Sequence, residues 1–251
     1  MKLTKHQKYS QDRLTKEQKI IFPGDLDDWG ARMNTRTNFD SNLKELKQSL
    51  LDMAEEAEYA IKKSMVSLIS QDLQKAEEVI EGDNKIDEME NKINDQAILL
   101  IAKESPVATD LRKIIVALKI SSEVERIADM AVNIAKSTIH IGSEPHIKDI
   151  VEIPLMMEKA LNMLRESLTA FYTEDTVIAK ASAEKDDEID AMYGRLIQEL
   201  MGYIREHPSE TKQVTQLAFV CRYIERIGDH VTNIAENVIY LVTGKRYDLN
   251  T

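Results

Sequence analysis

From Phe39 onward, apolar residues recur at intervals of three and four over long stretches, which is the period of an amphipathic helix. Asp40 or Ser41 can cap a first helix that runs to about Ser70. A second is predicted from about Leu73 to Glu104, loosened near Gly82, and ends where Ser105-Pro106 interrupts the chain. A third runs from Thr109 to about Ile141, with Gly142 suited to its C-cap. After a short linker holding Pro145, a fourth is expected from about Pro154 to Tyr172 and a fifth from about Thr176 to Glu206. A sixth runs from about Ser209, after the His207-Pro208 break, to Thr243, with Gly244 closing it. Val, Ile and Thr do not alternate with polar residues, so strands have no support. The pattern is all-α: three long helices, a linker, and three more, with short connections making sequential helices antiparallel neighbours.

The second half repeats the first. Glu125-Arg126-Ile127-Ala128-Asp129, followed by Asn133-Ile134-Ala135, returns one hundred residues later as Glu225-Arg226-Ile227-Gly228-Asp229, followed by Asn233-Ile234-Ala235. Upstream, Asp83 and Asp87 flank Ile86 as Asp186 and Asp190 flank Ile189. Two aligned pairs at nearly one offset imply duplication of one supersecondary unit. The expected organisation is two tandem three-helix bundles, residues 38–144 and 145–251. They are preceded by an arm, 1–37, that carries eight Lys or Arg against five Asp or Glu, the turn signal Pro23-Gly24-Asp25 and the single tryptophan, Trp29.

The repeated residues are acidic. Glu125 and Asp129, four apart, share one helix face, with Asn133 a turn further on. The apolar stripe of that stretch is Val124, Ile127, Ala131, Ile134 and Ala135, so the carboxylates are expected on the side away from the local core. Folding the chain back at Pro106 brings Asp83 and Asp87 level with Glu125 and Asp129, roughly 30 Å from the turn at about 1.5 Å per residue. Reversal at His207-Pro208 does the same for Asp186, Asp190, Glu225 and Asp229. Glu90 extends the first cluster, whereas its counterpart in the second is Tyr193. Carboxylates gathered in this way repel one another. A bound cation relieves the repulsion, and oxygen ligands suit Mg²⁺, Ca²⁺, Mn²⁺ or ferric iron. The alternative is a solvated acidic face, of the kind expected around Glu58, relieved here by Arg126, Arg226 and nearby lysines. His230 is expected on another face, at the surface.

Composition narrows the partners. A formal net charge of −11 over 251 residues disfavours direct binding to nucleic acid and favours cations or basic surfaces. Cys221 is the only cysteine, which excludes an intrachain disulfide, fits a reducing cytoplasm and suits a core position. The longest apolar run, Ala97 to Ala102, is far short of the roughly 20 residues that span a bilayer. No nucleophile motif and no glycine-rich phosphate loop is present. No histidine has Glu three residues before it, as a ferritin-like di-iron site would require. Leu111, Ile115 and Leu118 form a second apolar side of the third helix, available to another helix or another chain.

The two Glu-Arg-Ile-x-Asp segments, with Asn133-Ile-Ala and Asn233-Ile-Ala-Glu236, and the opening Arg36-Thr-Asn-Phe-Asp40-x-x-Leu43-x-x-Leu46, resemble the PhoU family of bacterial phosphate-uptake regulators. The resemblance covers about residues 33 to 248 and leaves the arm outside. It implies two bundles with multinuclear metal clusters. The ligands carried over are Asp83, Asp87, Glu125 and Asp129 in the first copy and Asp186, Asp190, Glu225 and Asp229 in the second. The ion would be Mg, Mn, Zn or Fe. It further implies a cytoplasmic homodimer that regulates phosphate transport and negatively controls the phosphate-starvation response. Such a protein acts by binding rather than catalysis, on components of the phosphate ABC transporter and a phosphate-sensing histidine kinase, and meets the membrane only through them. Ala128 in place of Gly228, and Tyr193 opposite Glu90, imply that the two sites differ in affinity. The other readings are a metal-dependent phosphatase and a metal-binding scaffold.

The composition of the arm implies that residues 1–32 can be removed without unfolding the bundles. A chain starting at Met33 is expected to melt at the temperature of the full chain in a circular-dichroism scan. A large fall would show the arm docked, with Trp29 as the natural anchor.

Overall fold

The computed structural model describes residues 23–147 and 150–249, with side chains described from residue 38 onward. Residues 1–22 of the arm lie outside the described residues, as does the side chain of Trp29. The elements are α1 (Pro23–Ser70), α2 (Leu73–Glu104), α3 (Ala108–Ile141), α4 (Glu152–Thr173), α5 (Thr176–Ala183), α6 (Asp186–Glu206), a 3-10 turn (Pro208–Glu210) and α7 (Thr211–Thr243). No strand occurs among the described residues. Residues Met1–Asn42 make one unit and Leu43–Thr251 another.

Two boundaries depart from the sequence expectation. The first helix begins at Pro23 rather than near Asp40. Proline suits a first helical turn, where its missing N–H costs nothing, so Pro23-Gly24-Asp25 opens the helix instead of turning the chain. A cut at Met33 therefore falls inside α1. The predicted fifth helix is broken into α5 and α6 at Glu184–Lys185, while α2 runs unbroken past Gly82. Two local forces account for the break. The Ser182 hydroxyl donates to the carbonyl of Met163 on α4 at 2.8 Å and meets the Ser167 hydroxyl at 2.8 Å, which pins the end of α5. Asp186, Asp187 and Glu188 then fill the first turn of α6, where the helix dipole favours negative charge.

The other ends follow the expected chemistry. Asp72 accepts from Lys75 N–H and Asp175 from Val177 and Ile178 N–H as N-caps. Gly244 closes α7 at φ +70°, and the chain then turns back so that Leu249 N–H donates to Glu236 Oε1 at 2.7 Å.

Within residues 43–251 the two bundles share a wall. Among the described residues, α3 makes its broadest contact with α7, and α7 also packs against α4, α5 and α6. The apolar stripe Val124, Ile127, Ala131, Ile134 and its copy Ile224, Ile227, Val231, Ile234 are fully buried, and so is Cys221. Helix α1 is tied to α2 by Lys63–Glu78 at 2.7 Å and Lys85–Glu56 at 2.6 Å, and to α4 through Glu58–Arg165 at 2.5 Å. Glu58 is thus an ion-paired bridge to Arg165 and Lys62, not the solvated residue expected from sequence. Its carboxyl is held below the usual range by the Arg165 hydrogen bond foremost. Leu111 and Ile115 remain partly exposed on α3.

Because Ile127 and Ile227 occupy equivalent, fully buried positions, each change to alanine is expected to cost about 2–5 kcal/mol in urea unfolding. Arg226→Ala, at the exposed position next to Ile227 in the same motif, is expected to stay within about 0.5 kcal/mol.

Candidate metal centres

The hairpins α2–α3 and α6–α7 each bring an acidic cluster together. In the first, Asp83, Asp87 and Glu90 on α2 face Glu125 and Asp129 on α3, close enough for their charges to act on one another. In the second, Asp186 and Asp190 on α6 face Glu225 and Asp229 on α7. All nine residues singled out in the sequence fall in one cluster or the other.

Asp83, Glu125, Asp186 and Glu225 lie deeper than the sequence stripe implied, whereas Asp87 and Asp190 stay exposed. Glu225 is only 9% exposed, because α7 is covered on several sides at once. Burial, reinforced by Asp229, pushes Glu225 up to about 7, against the opposing Arg222. Glu125 is likewise pushed up to about 7, by burial and then Asp129, with Arg126 opposing. Burial carries Asp186 up to about 6, although a hydrogen bond from Thr232 Oγ1 to Oδ2 at 3.0 Å works the other way. Asp83 and Asp190 are raised from the ordinary range, again chiefly by burial.

Cationic relief is partial. Arg126 reaches Glu125 at 3.4 Å and Asp129 at 3.3 Å from an exposed position, a geometry worth little. Arg222 pairs with Glu225 Oε1 and lies over the Tyr193 ring, so the residue that stands where the first cluster has Glu90 seats a competing cation. Asp186 Oδ1 and Glu225 Oε2 are buried without a hydrogen-bond partner. A buried carboxylate oxygen so placed costs free energy unless something donates to it or coordinates it. The donor chemistry, oxygen throughout, fits a hard cation. Among the described residues, no group of three or more Asp, Glu, His or Cys is placed to hold a metal ion with the side chains as they stand.

Two cavities adjoin the clusters. One of about 400 Å³ is lined by Lys180, Glu184, Asp186, Asp190, Asp229 and Leu249, which places the returning C-terminal segment at the second cluster. A groove of about 230 Å³ runs past Gly82, Asp83 and Ala128 at the first. Two polar residues nearby, Thr232 and Glu123, carry no signal in the sequence. Thr232 orients Asp186. Glu123 on α3 accepts from Asn233 at 3.2 Å and pairs with His230 Nδ1 at 2.8 Å on α7, so His230 is half-buried in the α3–α7 wall rather than at the surface. Nothing in the repeat signals Glu123, since its counterpart is Tyr223.

The PhoU domain family model matches residues 50–138 and 153–238, one match per bundle. The phosphate-specific transport system accessory protein PhoU homolog of Clostridium acetobutylicum is 42% identical over 217 residues, covering 86% of this chain and 99% of that protein. The homolog from Aquifex aeolicus is 42% identical over 203 residues, covering 81% and 92%. Among solved structures, PhoU from Pseudomonas aeruginosa is similar with a TM-score of 0.78 at 34% identity, covering 82% of this chain and all of that one. The phosphate transport system regulatory protein PhoU from Streptococcus pneumoniae has a TM-score of 0.79 at 30% identity, covering 84% and 99%.

The raised carboxyls set a pH dependence for chelator-treated protein. Glu125, Asp186 and Glu225 bind protons more tightly folded than unfolded, so between about pH 4.5 and 7 the folded state holds more protons. Stability from this source is full below the unfolded values and is lost as pH rises to about 7. Glu174 acts oppositely. Burial raises it, but Lys47 and Lys113 together hold it low, so its contribution is lost as the solution is acidified below about 4.5. The metal-free melting temperature is expected to climb from pH 8 to about 5 and then fall. A flat profile across pH 5–8 in calorimetry would contradict the buried clusters.

Proposed function

The chain belongs to the PhoU family, and we propose that it regulates phosphate uptake as an accessory protein of a phosphate-specific transport system, acting through metal-loaded carboxylate clusters. The family supports the transport role. The observation that carries the metal part is the pair of buried, unpartnered oxygens on Asp186 and Glu225, set within a cluster that recurs in the other bundle.

The residues that would hold cations are Asp83, Asp87, Glu90, Glu125 and Asp129 in the first bundle and Asp186, Asp190, Glu225 and Asp229 in the second. A bound divalent or trivalent ion supplies positive charge that offsets the mutual repulsion and cross-links two helices of a hairpin. This chain's own residues do the rest. Thr232 holds Asp186 in place, and Arg126 and Arg222 hold Glu125 and Glu225 until they are displaced. The chain acts by binding, with transporter components and a phosphate-sensing histidine kinase as partners. Among the described residues no helix is long and apolar enough to cross a membrane, so contact with the transporter runs through protein surfaces.

Deleting the gene is expected to derepress phosphate uptake in phosphate-rich medium, and the parent chain to restore control. The double variant Asp129→Asn, Asp229→Asn should accumulate but fail to restore it, and should retain less metal than the parent in elemental analysis after purification without chelator. Normal phosphate control in the deletion strain would overturn the regulator reading. Full complementation by the double variant would overturn the metal dependence alone.

A further inference from the structure

Helix α7 carries a glycine at its centre, Gly228, one turn after Glu225 and next to Asp229. Glycine is a poor helix former, and Gly194 and Gly202 on α6 have nothing within 4 Å of where a Cβ would stand. Gly228 differs. A Cβ there would come within 2.3 Å of Asp186 Oδ1 and 3.4 Å of Asp186 Cγ, so the carboxylate occupies the space that a methyl group would fill. The same oxygen is buried and unpartnered, its twin accepts from Thr232, and Glu225 beside it presents a second unpartnered buried oxygen. In the first bundle the equivalent of Gly228 is Ala128, whose methyl group holds that space, and the equivalent of Asp186 is Asp83. Asp83 sits on an unbroken helix beside Gly82, whereas Asp186 begins a new helix immediately after the α5–α6 break; both are half-buried and line a cavity.

We propose that Gly228 sets the two clusters apart: by admitting the Asp186 carboxylate against α7 it makes the second cluster the tighter cation site, while Ala128 leaves the first the weaker, exchangeable one. The inference rests on the metal reading given above. It runs against a simple count of acids, which favours the first cluster through Glu90. Orientation outweighs the count, because a ligand held by Thr232 and seated against Gly228 loses less freedom on binding than one without such supports. The clash in a Gly228→Ala protein falls on the end of a side chain and not on backbone. Asp186 can rotate away while α7 stays helical, so the substitution separates metal binding from folding.

The test uses Mn²⁺ followed by electron paramagnetic resonance of the free ion. Asp129→Asn reports the second cluster and Asp229→Asn the first. The Asp129→Asn protein is expected to bind more tightly than the Asp229→Asn protein. Adding Gly228→Ala to the Asp129→Asn background should weaken binding by about tenfold or more, yet leave the first cluster, read in the Asp229→Asn background, unchanged. In chelator, Gly228→Ala should melt at or above the parent's temperature, as a better helix former in α7. Thr232→Val, which removes the hydroxyl on Asp186, should weaken the second cluster in the same direction. If Gly228→Ala melts lower than the parent in chelator, Thr232→Val alone decides the matter. Mn²⁺ binding to both clusters with equal affinity, untouched by Thr232→Val and Gly228→Ala, would overturn the inference and leave the metal reading standing. Absence of Mn²⁺ binding in the parent would overturn both.

Discussion

The contact between α3 and α7 is the constraint on which the rest of the fold depends. Each helix is the last of its own bundle, and each must bury one stripe against its own hairpin and another against its twin. A helix surrounded in this way cannot keep its polar residues in bulk water. Glu225 and Thr232 are buried for that reason, and Glu123, His230 and Asn233 form a hydrogen-bonded set across the wall. Two bundles that would be separate in a tandem array therefore become one compact unit over residues 43–251.

The same constraint raises the cost of the acidic clusters. On an outer helix face, carboxylates four residues apart repel by a few tenths of a kcal/mol. Here burial is the foremost cause of the upward shifts at Glu125, Asp186 and Glu225, ahead of neighbouring charge. The apolar period elsewhere agrees with the structure, and Asp72 and Asp175 cap their helices as their chemistry suits. Like charges gathered and partly buried in both hairpins run against folding stability, which is the pattern of residues retained for a function.

Much of this was legible in the sequence because it rests on local periodicity. Helix period, Pro and Gly punctuation and the one-hundred-residue repeat fix the helix order, and level placement across the hairpins groups Asp83 and Asp87 with Glu125 and Asp129. What could not be read depends on partners distant in sequence. The apolar stripe turns Glu225 away from its local core, which holds against one neighbouring helix and fails for a helix with several. The bridge from Glu58 to Arg165 spans 107 residues, as does the one from His230 to Glu123. The break before Asp186 needs Ser182 to meet the carbonyl of Met163 on another helix. Only the acidic run Asp186-Asp187-Glu188 hinted at a new N-terminus, and periodicity across it concealed the interruption.

Helix α5 spans eight residues, little more than two turns. A segment that short does not hold its shape in water alone, since the entropy of starting a helix is recovered only over longer runs. It persists through Ser182, the Asp175 cap and the buried Ala179 and Ala183. Such a piece belongs to the low end of the range of local opening energies, well below α7 in the middle of the wall. Fraying at this joint would free the wall of the cavity that holds Lys180, Glu184 and Asp186 while the signature helix stayed formed. The second bundle thus carries a seam, and the first, with α2 continuous past Gly82, does not. Two halves copied from one unit have come to differ in how much of the molecule must loosen before their acids are released.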